Sequence, residues 1–222
     1  MTNVAYVLDI FLHLDRYLID FVAAYGTWTY LVVIGVIFCE TGLVIMPFLP
    51  GDSLLFALGA IAAHPQAPLN IFILLASLVI ASFVGNQVNY MIGKWFGKYL
   101  IAKNPLGLIK KKNLERAHGF YEEYGGKTII LARFMPIIRT FVPFVAGISE
   151  MHWKKFTGYN ASSAVLWIAS LLGAGYFFGA LPWISAHFTV VIYAIVIISF
   201  LPSLIAVLRT ILPVSYKKPK SL

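Results

Sequence analysis

Long apolar runs, separated by polar residues, organise this chain. Residues 53–63, 71–85, 156–181 and 188–208 contain no charged side chain. A helix that crosses a bilayer needs about 20 consecutive, mostly apolar residues. At least three runs reach that length once their flanking residues are counted. The pattern therefore predicts crossing helices at 69–93, 156–180 and 188–209.

The first long apolar segment, residues 28–63, is broken near its middle by Met46-Pro47-Phe48-Leu49-Pro50-Gly51-Asp52. Two prolines and a glycine interrupt a helix and permit the chain to turn. We expect this segment to be a re-entrant hairpin, which enters and leaves the membrane on one side. An alternative makes 28–46 and 53–63 ordinary spans, but the second piece is too short to cross alone.

Composition and charge agree with a membrane environment. Apolar residues make up 60% of the chain and charged residues 12%, and the mean hydropathy is +0.83, which excludes an ordinary soluble domain. The net charge of +8 is concentrated in 94–127, in Lys154 with Lys155, and in the tail at 217–220. The positive-inside rule places all three on the cytoplasmic side. Topology therefore explains the basic charge better than nucleic-acid binding does.

Residues 128–148 lie between two of these basic segments, so they must enter and leave the membrane on the cytoplasmic side. Pro136 and Pro143 each remove a backbone donor and disfavour a continuous helix. The segment is predicted to be a second re-entrant hairpin, opposed to the first.

The two halves share one plan in opposite orientations: an amphipathic surface segment (4–22 and about 105–124), a broken hairpin and a crossing helix. The fold class is an all-α integral membrane protein with an inverted repeat and a single membrane domain over residues 1–222. Its parts are a first repeat at about 1–93, a basic cytoplasmic amphipathic segment at about 94–127, a second repeat at about 105–180, a final transmembrane helix at 188–209 and a basic tail at 210–222. No cleavable signal peptide is expected, and the placement of residues 1–25 stays open. Such repeats predict a polar cavity between the hairpin tips.

Four charged residues lie at membrane depth: Glu40 and Asp52 in the first hairpin, and Arg133 and Arg139 in the second. Each ionised group at the bilayer centre costs at least about 2.5–3.5 kcal/mol, so these four need compensation. Mutual pairing would balance the charge, and the planar fork of arginine suits a carboxylate or a phosphate equally well. The four charged residues could also have only a structural role, in which their ion pairs hold the two hairpins together. Asp52 could, in addition, be the N-cap residue of a helix that begins at Ser53.

Other polar residues carry weaker predictions. Asn86, Asn89 and Tyr90 lie within a crossing helix, where they could line the cavity or hydrogen-bond a neighbouring helix. Trp28, Trp153, Trp167 and Trp183 include interface anchors. No nucleophile elbow, phosphate-cradling loop or metal-ligand pair is recognisable, so neither an enzyme nor a cofactor or metal site is expected.

These residues resemble the DedA family, also described as the SNARE-associated or VTT-domain superfamily. The resemblance covers about 25–180 and rests on Glu40, Phe48 to Ser53, Gly85 to Tyr90, Gly93, Arg133, Phe134, Pro136, Arg139, Pro143, Ala146, Gly147, Phe156, Asn160 and Trp167. It implies bacterial inner-membrane proteins with opposed re-entrant hairpins, some of which recycle undecaprenyl phosphate, while eukaryotic relatives scramble phospholipids. Acidic and arginine positions like these four are implied to be functionally important. Asn86 departs from the family, in which many members carry Asp after the glycine.

The function that this resemblance favours is transport of an anionic lipid carrier, undecaprenyl phosphate, across the bacterial cytoplasmic membrane. Arg133 and Arg139 would bind the phosphate, and Glu40 and Asp52 would couple transport to protons. Open alternatives are a general phospholipid scramblase, a proton-coupled carrier of small ions or drugs, and a membrane scaffold that uses the basic 94–127 segment. The expected partners are membrane lipids and protons, without nucleic acid; a homodimer is compatible with the sequence. The C-terminus is expected in the cytoplasm.

Overall fold

The fold is taken from a computed structural model of the chain. It describes residues 21–22, 24–43, 51–65, 67–103, 126–179, 181–188, 190–195, 197–199 and 201, and every regular element among these residues is helical. The all-α fold class is confirmed for the described part of the chain. The predicted surface segments, the centre of the first break, most of the basic segment and the tail at 210–222 lie outside the described residues.

Within the described ranges, seven helices and one further helical stretch have defined bounds. They are α1 Trp28–Gly42, α2 Gly51–Ala62, α3 Ile71–Lys103, α4 Lys127–Ala132, α5 Pro136–Ile148, α6 Trp153–Phe178, α7 Pro182–Ala186 and the stretch Val190–Ser199.

Two of these helices are long and apolar enough to cross a membrane. They comprise Ile71–Phe96 within α3 and Trp153–Phe178, which is α6, and each has 26 residues. At about 1.5 Å per residue, either exceeds the roughly 30 Å of a hydrocarbon core. Their positions agree with two of the predicted crossing helices. The stretch Val190–Ser199 lies within the predicted third, of which the remainder is outside the described residues.

The helices of the two broken segments are short, as their sequences predict. Helices α1, α2 and α5 have 15, 12 and 13 residues, fewer than a crossing helix needs. In the second segment the break lies between α4 and α5, and Pro136 occupies the first turn of α5, where a missing N–H costs no helical hydrogen bond.

Pro143 does not break the helix, contrary to the sequence prediction, because α5 continues through it. A proline cannot donate to the carbonyl four residues earlier, which here belongs to Arg139. The next carbonyl, at Thr140, accepts a hydrogen bond from Asn89 Nδ2 of α3 at 2.8 Å. This hydrogen bond holds the turn that precedes the proline against α3.

Close helix crossings hold the short helices against the long ones. Helix α2 packs on α6 and α5 packs on α3. A β-carbon at Gly59 or Gly175 would collide with backbone atoms across the first crossing, and one at Gly93 or Gly147 would do so across the second. Glycine at these positions lets the backbones approach closely, as in many membrane helix pairs.

The distribution of polar and apolar side chains is the reverse of that in a soluble protein. Phe72 is 77% exposed and Phe177 is 73% exposed, whereas Glu40 and Asn89 are fully buried. Large apolar side chains on the outside suit a lipid solvent, and buried polar groups need partners inside the bundle. The polar and charged side chains that could bind a ligand therefore lie inside the bundle.

Candidate functional site

Three charged side chains from distant parts of the sequence meet inside the bundle. Glu40 lies in the last turn of α1, Asp52 in the first turn of α2, and Arg139 in α5. Arg139 Nη1 contacts Asp52 Oδ1 at 2.6 Å, and Arg139 Nη2 forms an ion pair with Glu40 Oε1. One guanidinium thus bridges two buried carboxylates, which we call the Arg139 clamp.

The start of α2 is shaped to admit this clamp. Helix α2 begins at Gly51 rather than at Ser53, so Asp52 is a first-turn residue and not the predicted N-cap. A carboxylate in a first turn is stabilised by the helix dipole. A β-carbon at Gly51 would collide with the Glu40 carboxylate, so a larger residue there would force the acid to move.

Arg133 lies in the break between α4 and α5 and has a different environment. It is 2% exposed, and its hydrogen-bond partners are neutral. Nη1 donates to Asn160 Oδ1 and to Ser163 Oγ, both at 3.0 Å, and Nη2 donates to Ser82 Oγ. In the described part of the chain, no carboxylate lies within ion-pair distance of Arg133. The mutual pairing suggested by the sequence therefore applies to Arg139 and not to Arg133.

Trp167 of α6 connects the two arginines. Its ring centroid lies 4.8 Å from Arg139 Cζ and 5.4 Å from Arg133 Cζ, and its Nε1 donates to Asp52 Oδ1 at 3.0 Å. An aromatic face attracts a cation at such distances. Trp167 is fully buried, so it is not one of the interface anchors among the four tryptophans.

The polar residues of α3 divide between the site and helix contacts. With the Asn86 amide oriented to satisfy both of its groups, the oxygen accepts from Arg133 Nη1 at 2.7 Å. Asn89 Nδ2 donates to the carbonyls of Thr41 and Thr140, at 3.1 and 2.8 Å, and so joins α1 to α5.

Tyr90 also makes helix contacts. Its hydroxyl donates to the Met151 carbonyl at 2.5 Å and its ring stacks on Phe156. Of the three predicted cavity residues, only Asn86 lies beside an arginine.

Sequence reasoning missed Ser82 and Ser163 as parts of the site. A periodic signal was present, because Ser82, Asn86 and Asn89 follow at intervals of four and three residues and share one helix face. Asn160, Ser163 and Trp167 follow at intervals of three and four residues on α6 and likewise share one face. A serine in an apolar helix is unremarkable alone, and its meaning depends on the polar residues one turn away.

The site has unused capacity to hydrogen-bond an anion. Among the described residues, the Nε atoms of both Arg133 and Arg139 are buried without a partner, as is Glu40 Oε2. Within the same part of the chain, no group of three metal-ligating side chains is found. The donors of the Arg133 guanidinium suit an oxyanion such as a phosphate.

Comparison with known proteins finds similarity along most of the chain. Residues 49–177 match the VTT domain. Protein DedA of Escherichia coli (strain K12) is 44% identical over 209 residues, which cover 94% of this chain and 95% of that protein. An uncharacterized membrane protein of Mycobacterium tuberculosis (strain H37Rv) is 42% identical over 174 residues, or 78% of this chain and 76% of that protein. Inner membrane protein YghB of Escherichia coli (strain K12) is 32% identical over 158 residues, 71% of each chain. No solved structure matches.

Proposed function

This chain belongs to the VTT-domain (DedA) family of membrane proteins, as its motifs predicted, and we propose that it moves an anionic lipid across the bilayer. The lipid that the family resemblance favours is undecaprenyl phosphate. Its polyprenyl tail would remain in the hydrocarbon while its phosphate passes through the polar cluster around Arg133 and Arg139. One relative is named as an inner membrane protein, and we propose the bacterial inner membrane for this chain as well.

The observation that carries the proposal is a buried guanidinium, that of Arg133, which no carboxylate contacts among the described residues. Among the described residues, the hydrogen bonds of Arg133 go to neutral hydroxyl and amide groups. A charge at membrane depth costs at least about 2.5–3.5 kcal/mol, and an anion that visits Arg133 would offset much of this cost. A phosphate accepts two parallel hydrogen bonds from the arginine fork, which makes it a favoured ligand.

The Arg139 clamp supplies a route to proton coupling. Glu40, Asp52, Arg133 and Arg139 sum to zero formal charge (two negative, two positive). A bound phosphate adds negative charge, which is expensive in a low-dielectric interior. Protonation of Glu40 or Asp52 reduces this excess negative charge and releases one terminal nitrogen of Arg139, which can then turn to the phosphate. Coupling rests on these two acids because position 86 is an asparagine.

The packing of the short helices supports the proposed re-entrant hairpins and inverted repeat. Helix α2 of the first half packs on α6 of the second, and α5 of the second half packs on α3 of the first. Both crossings use glycines. Packing of each half's short helix on the other half's long helix is expected of two repeats related by a pseudo-two-fold axis in the membrane plane. The basic segments favour a cytoplasmic C-terminus.

Transport by purified protein in lipid vesicles tests this function. The assay follows a short-chain fluorescent polyprenyl phosphate and, separately, a fluorescent phospholipid, with wild type, Arg133→Ala and Arg139→Ala. Lys127→Ala, which removes an exposed positive charge at the start of α4, is the matched control. We expect wild type and Lys127→Ala to move the polyprenyl phosphate and both arginine variants to lose movement. Folded arginine variants with normal transport would refute the mechanism.

The same assay separates the alternatives. Equal movement of both lipids indicates a general scramblase. Cation movement that depends on Glu40 and Asp52, without lipid movement, indicates a proton-coupled carrier. Normal activity of the protein in cells after all four charges are neutralised favours a scaffold.

A further inference from the structure

The neutral side chains around Arg133 form a part of the site that neither the charge pattern nor the comparisons assign. We propose that Ser82 and Ser163 bind the lipid phosphate directly and that, with Arg133, they form the pocket that first receives the headgroup. This inference rests on the proposed function and adds the residues that recognise the phosphate.

The two serines approach the guanidinium from different helices. Ser82 of α3 accepts from Arg133 Nη2, and Ser163 of α6 accepts from Nη1 at 3.0 Å. Both serines are fully buried. Each terminal nitrogen of Arg133 therefore has a hydroxyl beside it, so a phosphate held by the arginine fork would lie within reach of both.

A serine hydroxyl can change its role in a way that the amide oxygen of Asn160 cannot, because it both accepts and donates. The Ser163 hydroxyl donates to the carbonyl of Asn160, within its own helix, at 2.9 Å. Ser82 makes no other hydrogen bond among the described residues. Rotation about one bond would direct either hydroxyl at a phosphate oxygen that replaces it as the acceptor for Arg133.

Arg139 is less accessible to an arriving phosphate. Its two terminal nitrogens each contact a carboxylate, Glu40 or Asp52, which an anion would have to displace. Arg133 offers the phosphate a cation whose partners among the described residues are neutral, and its two hydroxyl partners can become donors. Neutral donors also recognise the headgroup without adding positive charge, and a transport site must release its ligand as well as bind it.

The alternative is that both serines only satisfy Arg133. In that case alanine substitution would lower the stability of the protein but leave the lipid affinity of the folded fraction unchanged. A direct phosphate contact instead predicts a higher half-saturating lipid concentration. Comparing the loss of stability with the loss of lipid affinity therefore shows whether a serine binds the phosphate or only satisfies Arg133.

The experiment compares Ser82→Ala and Ser163→Ala with Ser77→Ala on α3 and Ser162→Ala on α6. The two control hydroxyls each donate to a carbonyl of their own helix, at 3.2 and 3.1 Å. The half-saturating concentration of short-chain polyprenyl phosphate is measured in vesicles. Binding is measured independently, as the rise in melting temperature that the same lipid causes in detergent.

We expect each site substitution to raise the half-saturating concentration roughly ten- to a hundredfold, as loss of a hydrogen bond to a charged group predicts. The controls should stay within about twofold of wild type, because they remove no hydrogen bond to the phosphate. Ser163→Thr keeps a hydroxyl and should restore affinity. If an alanine variant fails to fold, Ser163→Cys replaces it, because a thiol has a similar size but donates weakly.

The outcomes separate this inference from the function on which it rests. Wild-type transport together with control-like affinity in the folded alanine or cysteine variants would overturn the phosphate pocket and leave the proposed function standing. A wild type that neither binds nor moves polyprenyl phosphate would overturn both.

Discussion

Replacement of Arg139 with glutamine should destabilise the protein, and the structure predicts which second substitution recovers more of the lost stability. Glu40 is fully buried and Asp52 is 7% exposed, so both carboxylates would lose their cation inside the bundle. Removal of one partner from a buried ion pair typically costs about 3–5 kcal/mol. We expect a loss of that size in the free energy of unfolding.

The two acids should not contribute equally to this loss. Asp52 Oδ1 would keep the hydrogen bond from Trp167 Nε1 at 3.0 Å. Glu40 would keep no side-chain donor among the described residues, because its Oε1 contacts Arg139 and its Oε2 has no hydrogen-bond partner, and only the backbone N–H of Gly51 would remain beside the carboxylate. Adding Glu40→Gln to Arg139→Gln should therefore recover more stability than adding Asp52→Asn.

Unfolding in mixed micelles, followed by tryptophan fluorescence during titration with a denaturing detergent, measures these free energies. Lys127→Gln serves as the control for removal of an exposed cation. A loss below about 1 kcal/mol for Arg139→Gln would contradict the buried clamp, since surface ion pairs contribute in that range. Better rescue by Asp52→Asn would contradict the assignment of Glu40 as the more dependent acid.

Three further substitutions test neighbouring features by the same unfolding assay and by vesicle transport. Gly51→Ala should cost about 1–3 kcal/mol by overpacking against the clamp, whereas Gly173→Ala, which faces open space, should not destabilise; equal losses would contradict the contact. Trp167→Phe removes the donor to Asp52 but keeps a ring near both arginines, so it should cost about 1.5–3 kcal/mol, against about 3–5 for Trp167→Ala. Asn89→Ala should lower stability but leave the transport rate per folded molecule unchanged, because its amide joins two helices; selective loss of transport would place it in the lipid pathway.

The fold class was accessible from the sequence because it depends on local properties. Runs of apolar residues predict membrane helices wherever they occur, and Pro136 predicts a helix start because proline lacks a backbone donor. The depth of Glu40, Asp52, Arg133 and Arg139 in apolar segments was visible for the same reason. Local rules failed at Pro143, because α5 packs along α3 and continues through the proline.

The pairing of those four charges was decided by the tertiary structure alone. Arg139 meets Glu40 across 99 positions of sequence, and Trp167 meets Asp52 across 115. Which of two arginines faces the acids depends on the rotation of each helix about its axis and on how closely the backbones approach at their glycine crossings. Sequence shows which charges must be compensated inside the membrane, and only packing determines that Arg139 receives both carboxylates while Arg133 is surrounded by hydroxyls and amides.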